Sequence, residues 1–196
     1  MGQDLDPAYW NNRYLNNDSG WDVGKVSAPL KTYFDQLPDK TISILIPGAG
    51  NAYEAEYLFN EGFLNVYICD LADWPLQNFL KRCPTFDPQH LLHQDFFEMQ
   101  NRTFDLIIEQ TFFCALEPWY RSAYFIKMAK LLKPNGRLVG VLFDDVLNTD
   151  KPPFGGTKEE YLTYIKSPLR IKTLEACYNS IKPRAGRELF MNLEKV

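Results

Sequence analysis

Small and acidic residues stand at the ends of three predicted β-strands, in a pattern that suits a nucleoside. The turn Gly48-Ala49-Gly50 follows the first strand, and glycines there let the backbone approach a ligand closely. Asp70, followed by Leu71, ends the second strand, where a carboxylate can accept both ribose hydroxyls. Asp95 ends the third, where it can accept from an adenine amino group while Phe96 covers the ring. Each feature alone also fits an ordinary turn or loop cap, but together they predict an adenosine site.

The residues after the glycines argue against a dinucleotide. The fingerprint of dinucleotide-binding proteins is Gly-x-Gly-x-x-Gly/Ala. Its third small residue lets the following helix pack closely, so that the N-terminus of this helix faces the pyrophosphate. In this chain Tyr53 occupies the third position and Glu54 follows it, so a bulky ring and a carboxylate replace that arrangement. S-adenosylmethionine has no phosphate and carries an amino group, so nearby acids are tolerable. The difference in charge therefore favours S-adenosylmethionine over a nicotinamide cofactor.

Alternating strands and helices must position these residues. The apolar patterns and caps predict strands at 42–46, 65–69, 90–93, 104–109 and 137–143, and helices at 7–14, 28–37, 52–60, 74–82, 121–132 and 157–165. A turn is predicted at 133–136. Such alternation implies parallel strands with right-handed crossovers. Two further β-rich runs, at 170–178 and 188–193, predict an antiparallel hairpin. We therefore expect an α/β fold with a mostly parallel, seven-stranded sheet and a C-terminal antiparallel hairpin.

Length, charge and cysteine content limit the possible partners. The 196 residues suit one domain, and we expect residues 1–40 to cover the cofactor and the substrate. A net charge of -4 weighs against nucleic acid, because phosphate binding needs clustered Lys and Arg. No apolar stretch approaches the ~20 residues that span a bilayer, and Met1–Asp4 begin no signal peptide. The four scattered cysteines and two histidines predict reduced thiols and no metal. These features together predict a cytoplasmic protein without a membrane partner.

Three longer motifs carry a family resemblance. Residues 104–118 read Phe-Asp-Leu-Ile-Ile-Glu-Gln-Thr-Phe-Phe-Cys-Ala-Leu-Glu-Pro, with Arg121 and Leu-Leu-Lys-Pro-Asn-Gly at 131–136 after them. The other two are Trp21-Asp22-x-Gly24, followed by Ser27 and Pro29, and Pro152-Pro153-Phe154. On these motifs the chain resembles the thiopurine and thiol S-methyltransferases, particularly the branch with the thiocyanate, halide and thiol methyltransferases. The resemblance implies a Rossmann-like class I methyltransferase fold, S-adenosyl-L-methionine as cofactor, a small-molecule acceptor and a monomer.

The resemblance also implies individual site residues. The residues it implies for the cofactor are Trp10, Tyr14, Trp21, Gly48, Asp70, Asp95, Phe96 and Gln110, to which the strand-end pattern adds Gly50 and Leu71. Tyr14 stands where the family branch has a tryptophan, and Gln110 where it has a tyrosine. Core packing remains the alternative for Trp10 and Trp21. For the substrate we expect an aromatic wall that includes Phe112, Phe113 and Phe154. Arg121 either steers an anionic substrate or is a plain surface arginine, and Cys114 is expected to be a buried, inert thiol.

The expected chemistry needs little acid or base. When an anionic nucleophile attacks a cationic methyl donor, charge fades in the transition state, so a dry aromatic pocket should speed the step. Three hypotheses stay open. The first is methyl transfer to a small soft nucleophile, namely a thiol, sulfide, thiocyanate, halide or thiopurine. The second is methylation of an oxygen or nitrogen of a small metabolite, and the third is a non-catalytic module that binds the cofactor.

Overall fold

Seven strands form one sheet in the computed structural model, which describes residues 5–196. The strands are β1 (Ile44–Pro47), β2 (Val66–Asp70), β3 (Leu91–His93), β4 (Phe104–Gln110), β5 (Leu132–Phe143), β6 (Leu169–Ala176) and β7 (Glu188–Lys195). Their order is β3-β2-β1-β4-β5-β7-β6. The first five strands are parallel, whereas β7 is antiparallel to both β5 and β6. The predicted fold class is therefore confirmed. Met1–Asp4, on which the expectation about a signal peptide rests, lie outside the described residues.

Six α-helices connect or flank the strands. They are α1 (Pro7–Leu15), α2 (Ala28–Phe34), α3 (Tyr53–Asn60), α4 (Asp73–Arg82), α5 (Arg121–Leu131) and α6 (Lys158–Tyr164). Two predicted caps are confirmed. The Asp6 carboxylate accepts a hydrogen bond from the Tyr9 N–H at 2.7 Å, and the Thr157 hydroxyl accepts one from the Glu160 N–H at 3.2 Å. These bonds satisfy backbone donors that the first turn of a helix leaves unpaired.

The core lies in two apolar layers, one on each face of the sheet. In β1, Leu45 belongs to the layer that includes Tyr124 and Met128 of α5, whereas Ile44 and Ile46 belong to the other. The four residues of β1 are all buried, as expected for a parallel strand covered on both faces. Helices on both faces leave the carboxyl ends of the parallel strands as the edge where loops can form a site.

Two predicted boundaries are wrong in ways that have a local cause. Residues 133–136, predicted as a turn before the fifth strand, lie within β5. Phe104 pairs with Leu132 and Leu106 with Arg137, so the four residues form an irregular insertion in the pairing. The backbone changes direction at Asn135, which has a φ of 62°. The second helix ends at Phe34 instead of residue 37, because residues 35 and 36 form a turn.

No helix in the described part of the chain has the length and apolar character needed to cross a membrane. The cysteines Cys69, Cys83, Cys114 and Cys177 are buried and free. Burial raises the pKa of the Cys69 and Cys83 thiols above the ordinary value of a cysteine. These two side chains therefore stay protonated at neutral pH and act as apolar core groups.

Candidate functional site

A cavity of about 400 Å³ lies beside the carboxyl ends of β1, β2 and β4 and the loop that follows β3. All ten residues predicted to bind a cofactor line it: Trp10, Tyr14, Trp21, Gly48, Gly50, Asp70, Leu71, Asp95, Phe96 and Gln110. Parallel strands present their carboxyl ends at one edge of a sheet, and this brings the predicted strand tips together. The tips therefore surround one cavity of a size suited to a small ligand.

The turn after β1 needs both of its glycines. Gly48 and Gly50 have φ angles of 57° and 52°, in the left-handed region that residues with a side chain rarely adopt. A Cβ on Gly48 would lie 2.1 Å from Cδ2 of Phe112, and one on Gly50 would lie 2.5 Å from the Tyr14 hydroxyl oxygen. The backbone of this turn is therefore held directly against two rings of the cavity wall.

Asp70 ties this turn to the loop after β2. Its Oδ2 accepts a hydrogen bond from the Gly50 N–H at 2.7 Å, and its Oδ1 accepts one from the Ala72 N–H at 2.8 Å. Burial raises the pKa of the Asp70 carboxyl, and these two N–H donors oppose the rise. A carboxylate offers about four lone-pair sites, so the two bonds leave acceptor capacity for hydroxyl groups of a ligand.

Asp95 begins the short 3-10 helix Phe96–Glu98 and lines the cavity beside it. Its Oδ1 accepts a hydrogen bond from the Phe97 N–H at 2.7 Å. The ring of Phe96 is buried and lies 5.3 Å, centroid to centroid, from the ring of Phe112 in an edge-to-face arrangement. Capping the short helix and accepting from a ligand are compatible roles, since a carboxylate has a second oxygen.

Three aromatic side chains from the N-terminal part of the chain cover one side of the cavity. Trp21 packs edge-on against Trp10 at 5.7 Å and against Tyr14 at 5.6 Å. Burial, with the charge of Asp70, raises the pKa of Tyr14, so its hydroxyl keeps its proton. The Trp21 carbonyl accepts a hydrogen bond from Nη2 of Arg184 at 2.7 Å. Trp10 and Trp21 remain half-buried, so they line the cavity as well as pack on each other.

Only the first part of the predicted covering segment, 1–40, reaches the cavity. Among residues 5–40, those that line it are Leu5, Trp10, Tyr14, Trp21, Asp22, Val23 and Lys25. Helix α2 instead places Leu30 and Phe34 in the apolar layer on one face of the sheet. The buried face of α2, formed by Pro29, Leu30 and Phe34, is therefore part of the core of the protein.

Gln110 brings an unsatisfied polar atom into the cavity wall. Its Oε1 is buried and has no hydrogen-bond partner among the described residues. A buried acceptor without a partner costs on the order of 1–3 kcal/mol. The atom is thus available to a ligand that donates a hydrogen bond, such as one that carries an ammonium group.

Two of the three phenylalanines predicted to wall the substrate site do not reach the cavity. Phe112 lines it, but Phe113 is 2% exposed and packs in the core against Tyr124, with the ring centroids 4.9 Å apart. Phe154 is 4% exposed, and its N–H donates to the Cys114 carbonyl at 2.7 Å. The two prolines before it, at 152 and 153, form that part of the wall instead. The prediction is wrong for Phe113 and Phe154 because adjacent residues of a turn project to different sides of the backbone.

Arg121 is not a surface residue, so that interpretation of it is wrong, and its contacts do not favour a role in steering a substrate. It is 2% exposed and lies outside the cavity wall. Nη2 donates to the Gly155 carbonyl at 2.5 Å, and Nη1 pairs with the carboxylate of Glu160. The guanidinium also lies 5.4 Å from the ring centroid of Phe113. It joins the start of α5 to α6 and to the loop before α6, which is a structural role.

Carboxylates dominate the charged part of the cavity wall. They are Asp22, Glu54, Asp70, Asp95, Glu98 and Glu117, and Lys25 is the one Lys or Arg among the lining residues in the described chain. Glu54 is buried and accepts a hydrogen bond from the Ser27 N–H at 2.9 Å; burial raises its pKa. Three of these acids were expected from the sequence, namely Asp70 and Asp95 at strand ends and Glu54 four residues after Gly50. A ligand with positive charge is favoured over a polyphosphate.

Cys114 lines the cavity without being a nucleophile. Burial, with the charge of Glu109, raises the pKa of its thiol to about 12. Its Sγ donates to the Thr111 carbonyl at 3.3 Å. The reactive form of a cysteine is the thiolate, so the thiol is inert at neutral pH, as expected.

Comparison with known proteins gives one family and one fold. A family model described as "Thiopurine S-methyltransferase (TPMT)" matches residues 5–195. A relative named "Probable thiol methyltransferase 2" from Arabidopsis thaliana is 27% identical over 185 residues, which cover 91% of this chain and 81% of that one. A "Thiopurine S-methyltransferase" from Vibrio cholerae is 27% identical over 175 residues, which cover 81% of this chain and 80% of that one.

A solved structure with the same fold has a bound ligand. It is the 1,6-didemethyltoxoflavin-N1-methyltransferase of Burkholderia thailandensis, with 1,6-didemethyltoxoflavin and S-adenosylhomocysteine bound. The similarity has a TM-score of 0.76 at 16% identity and covers 97% of this chain and 87% of that one. At this identity the likeness establishes the Rossmann-like fold alone.

Proposed function

Because the chain belongs to the thiopurine S-methyltransferase family, we propose that it transfers a methyl group to a small soft nucleophile. The candidate acceptors are a thiol, sulfide, thiocyanate, a halide or a thiopurine. The chain is an S-adenosylmethionine-dependent methyltransferase. The acceptor and the roles of single residues belong to the proposal. The family membership carries the acceptor class, and the observation that carries the cofactor site is one cavity at the strand tips, which all ten predicted cofactor residues line.

The described side chains fit S-adenosylmethionine. Asp70 has acceptor capacity for the ribose hydroxyls, Asp95 for the adenine amino group, and the unpartnered Oε1 of Gln110 for the ammonium group. The turn at Gly48 and Gly50 leaves room for close approach, because neither residue has a Cβ. The excess of carboxylates complements a net positive ligand. When bound, the cofactor supplies an electrophilic methyl group on a positively charged sulfur.

The rest of the cavity wall suits an acceptor that reacts in a dry environment. Its apolar and aromatic groups are Phe112, Ala115, Leu116, Tyr120, Pro152 and Pro153, and Thr111 and Glu117 are the polar residues among them along the chain. Such a wall excludes water, which stabilises separated charges more than it stabilises a transition state in which charge fades. The protein's part in the reaction is then to align the acceptor with the methyl group and to keep water out.

Calorimetry followed by a turnover assay tests this proposal. S-adenosylhomocysteine should bind with one site per chain, and formation of S-adenosylhomocysteine from S-adenosylmethionine should depend on an added acceptor. The panel holds a thiol, sulfide, thiocyanate, iodide and a thiopurine, beside hydroxyl and amine metabolites. Turnover with hydroxyl or amine acceptors alone would overturn the acceptor class. Binding without turnover on any acceptor would point to a non-catalytic module.

Removal of the Asp70 carboxylate should weaken the binding of S-adenosylhomocysteine. Asp70→Ala is expected to cost about 1–3 kcal/mol of binding free energy, because the ribose loses a charge-assisted acceptor. Asp73→Ala is the control, because Asp73 is exposed and lies outside the cavity wall. The one hydrogen bond described for its side chain is the one it accepts from Gln77. Calorimetry at a temperature where both variants are folded gives the comparison. Equal affinity of the Asp70 variant and the native protein would remove Asp70 from the site.

A further inference from the structure

A buried carboxylate, to which the sequence motifs assign no role, lies behind the cavity wall. Glu109, the residue before Gln110 in β4, is 0% exposed and does not line the cavity. Its Oε1 accepts hydrogen bonds from the N–H groups of Phe112 and Phe113, at 2.8 and 3.0 Å. Its Oε2 accepts one from the Tyr124 hydroxyl at 2.6 Å. The side chain therefore connects the end of β4, the loop at 111–113 and helix α5.

The loop held in this way shapes the cavity. Thr111 has a φ of 58°, which is unfavourable for a β-branched residue and needs support from its surroundings. Phe112, next along the chain, lies against the Gly48 turn and beside Phe96. Gln110, on the other side of Thr111, carries the unpartnered oxygen in the cavity wall. The two N–H bonds to Glu109 fix the backbone between these ligand-facing groups.

Strand β5 lies close against residue 109. Its partner there is Gly140, where a Cβ would lie 2.3 Å from the Glu109 Cβ and 2.4 Å from its carbonyl oxygen. Almost any residue has these two atoms, so the contact does not explain why residue 109 is an acid. Burial of a carboxylate costs folding free energy. A protein with an apolar side chain of similar size in its place is often as stable or more stable. An acid in this position is therefore better explained by the geometry that it imposes than by a gain in stability.

From these contacts we propose that Glu109 is a positioning residue for cofactor binding, which acts by holding the 111–113 loop against the Gly48 turn. The proposal rests on the proposed function, since it takes the ligand of the cavity to be S-adenosylmethionine. Glu109 itself touches no ligand. Its effect passes through the backbone of Phe112 to the ring that faces Gly48 and through Thr111 to the side chain of Gln110.

Glu109 should hold the 111–113 loop whether its carboxyl group is ionised or protonated. Burial raises the pKa of Glu109 from 4.5 to about 7, and the bonds from Tyr124, Phe113 and Phe112 oppose the rise. The titratable groups described as facing it are Tyr124 of α5 and Cys114 of the loop, and burial keeps both of them protonated. A proton on Oε2 can be donated to the Tyr124 oxygen while Oε1 still accepts both N–H groups. Glutamine has the same shape and the same Oε1, so it should replace the acid.

Three variants separate a positioning role from a purely structural one. Glu109→Met keeps the size of the side chain but removes the acceptor, and Glu109→Gln keeps the acceptor. Leu174→Ala is the control for lost stability, because Leu174 is buried in β6 at the far edge of the sheet. Calorimetry with S-adenosylhomocysteine should show binding at least about tenfold weaker for Glu109→Met and within about threefold of native for Glu109→Gln. The Leu174 variant should melt earlier and bind normally.

Amide exchange gives a readout that does not need the cofactor. The N–H groups of Phe112 and Phe113 should be protected in the native protein and in Glu109→Gln, and should exchange faster in Glu109→Met. Native affinity of Glu109→Met, or protected amides in it, would overturn the proposal. Failure of the native protein to bind S-adenosylhomocysteine would overturn the proposed function and, with it, a role in cofactor binding. If Glu109→Met does not fold, Tyr124→Phe replaces it, and binding about fivefold weaker than native is then expected because Glu109 loses one of its three donors. Binding within about threefold of native would contradict the proposal.

The pH dependence of stability tests the burial of this carboxyl. A folded-state pKa of about 7, raised from 4.5, means that the folded protein holds a proton that the unfolded chain has released. Glu109 therefore lowers the stability of the native protein as the pH rises from about 4.5 to about 7. Glu109→Gln does not titrate, so the Tm of this variant minus that of the native protein should rise over this interval and level off above it. A difference that does not change with pH would show that the carboxyl is not buried as described.

Discussion

Gly48→Ala is expected to weaken the binding of S-adenosylhomocysteine by about 100-fold or more, the largest loss of affinity that we predict for a single methyl group. The added Cβ would lie 2.1 Å from Cδ2 of Phe112, so the ring has to move from its place in the cavity wall. The φ of 57° adds backbone strain for any residue with a side chain. Displacement of the ring also disturbs Phe96, which lies beside it.

Gly62→Ala is a control that introduces backbone strain without a steric clash. Gly62 has a φ of 88° at the end of α3, but a Cβ there would meet nothing within 4 Å. This variant should lose stability by about 1 kcal/mol and bind the ligand normally. Calorimetry and thermal unfolding of both variants give the comparison. Affinity within about threefold of native for Gly48→Ala would mean that the turn does not contact the cofactor.

Arg121→Met is expected to lower the free energy of unfolding by about 3 kcal/mol while the folded protein still binds S-adenosylhomocysteine normally. The change removes the ionic partner of Glu160 and the donor to the Gly155 carbonyl, and these two contacts join α5 to α6 and to the loop at 152–156. Glu160 keeps a hydrogen bond from the Tyr164 hydroxyl at 3.3 Å. We place the value toward the low end for a buried pair, because the side chain of Glu160 is 35% exposed and water can solvate it after the change.

Arg170→Met is the matched control on the surface. The Arg170 side chain is 59% exposed and pairs with Glu194, which Lys172 also approaches at 3.9 Å. Loss of such a pair should change the free energy of unfolding by less than about 1 kcal/mol. Urea unfolding of the two variants measures the difference. A weaker affinity for an anionic acceptor in the Arg121 variant, without a loss of stability, would restore the steering role that the structure argues against.

The elements that could be predicted are those fixed by neighbours along the chain. Asp6 and Thr157 cap their helices through N–H groups three residues further on, so local sequence was sufficient to find these starts. The strand tips were predictable for a related reason. An apolar run followed by Gly48 or by an acid such as Asp70 or Asp95 marks where a buried strand ends, and parallel topology then brings the tips together.

The direction of side chains within a turn could not be predicted. Phe112 and Phe113 are adjacent and identical, yet the first lines the cavity and the second is in the core. The choice between them depends on the two N–H bonds to Glu109 and on the left-handed φ of Thr111. Neither β propensity nor apolar periodicity contains this information, since both describe regular elements and the loop is irregular.

The sequence by itself determined the fold class, the family and the strand-end residues that surround the cavity. These depend on periodicity, turn residues and contiguous motifs, whose physics is local. Only the tertiary structure decided that Arg121 is buried against Glu160, that Glu109 holds the cavity loop and that Arg184 holds Trp21 from 163 positions away. Such contacts form when the packing of the whole sheet and its helices removes polar groups from water. Each buried group then needs a partner, and that partner can lie anywhere along the chain.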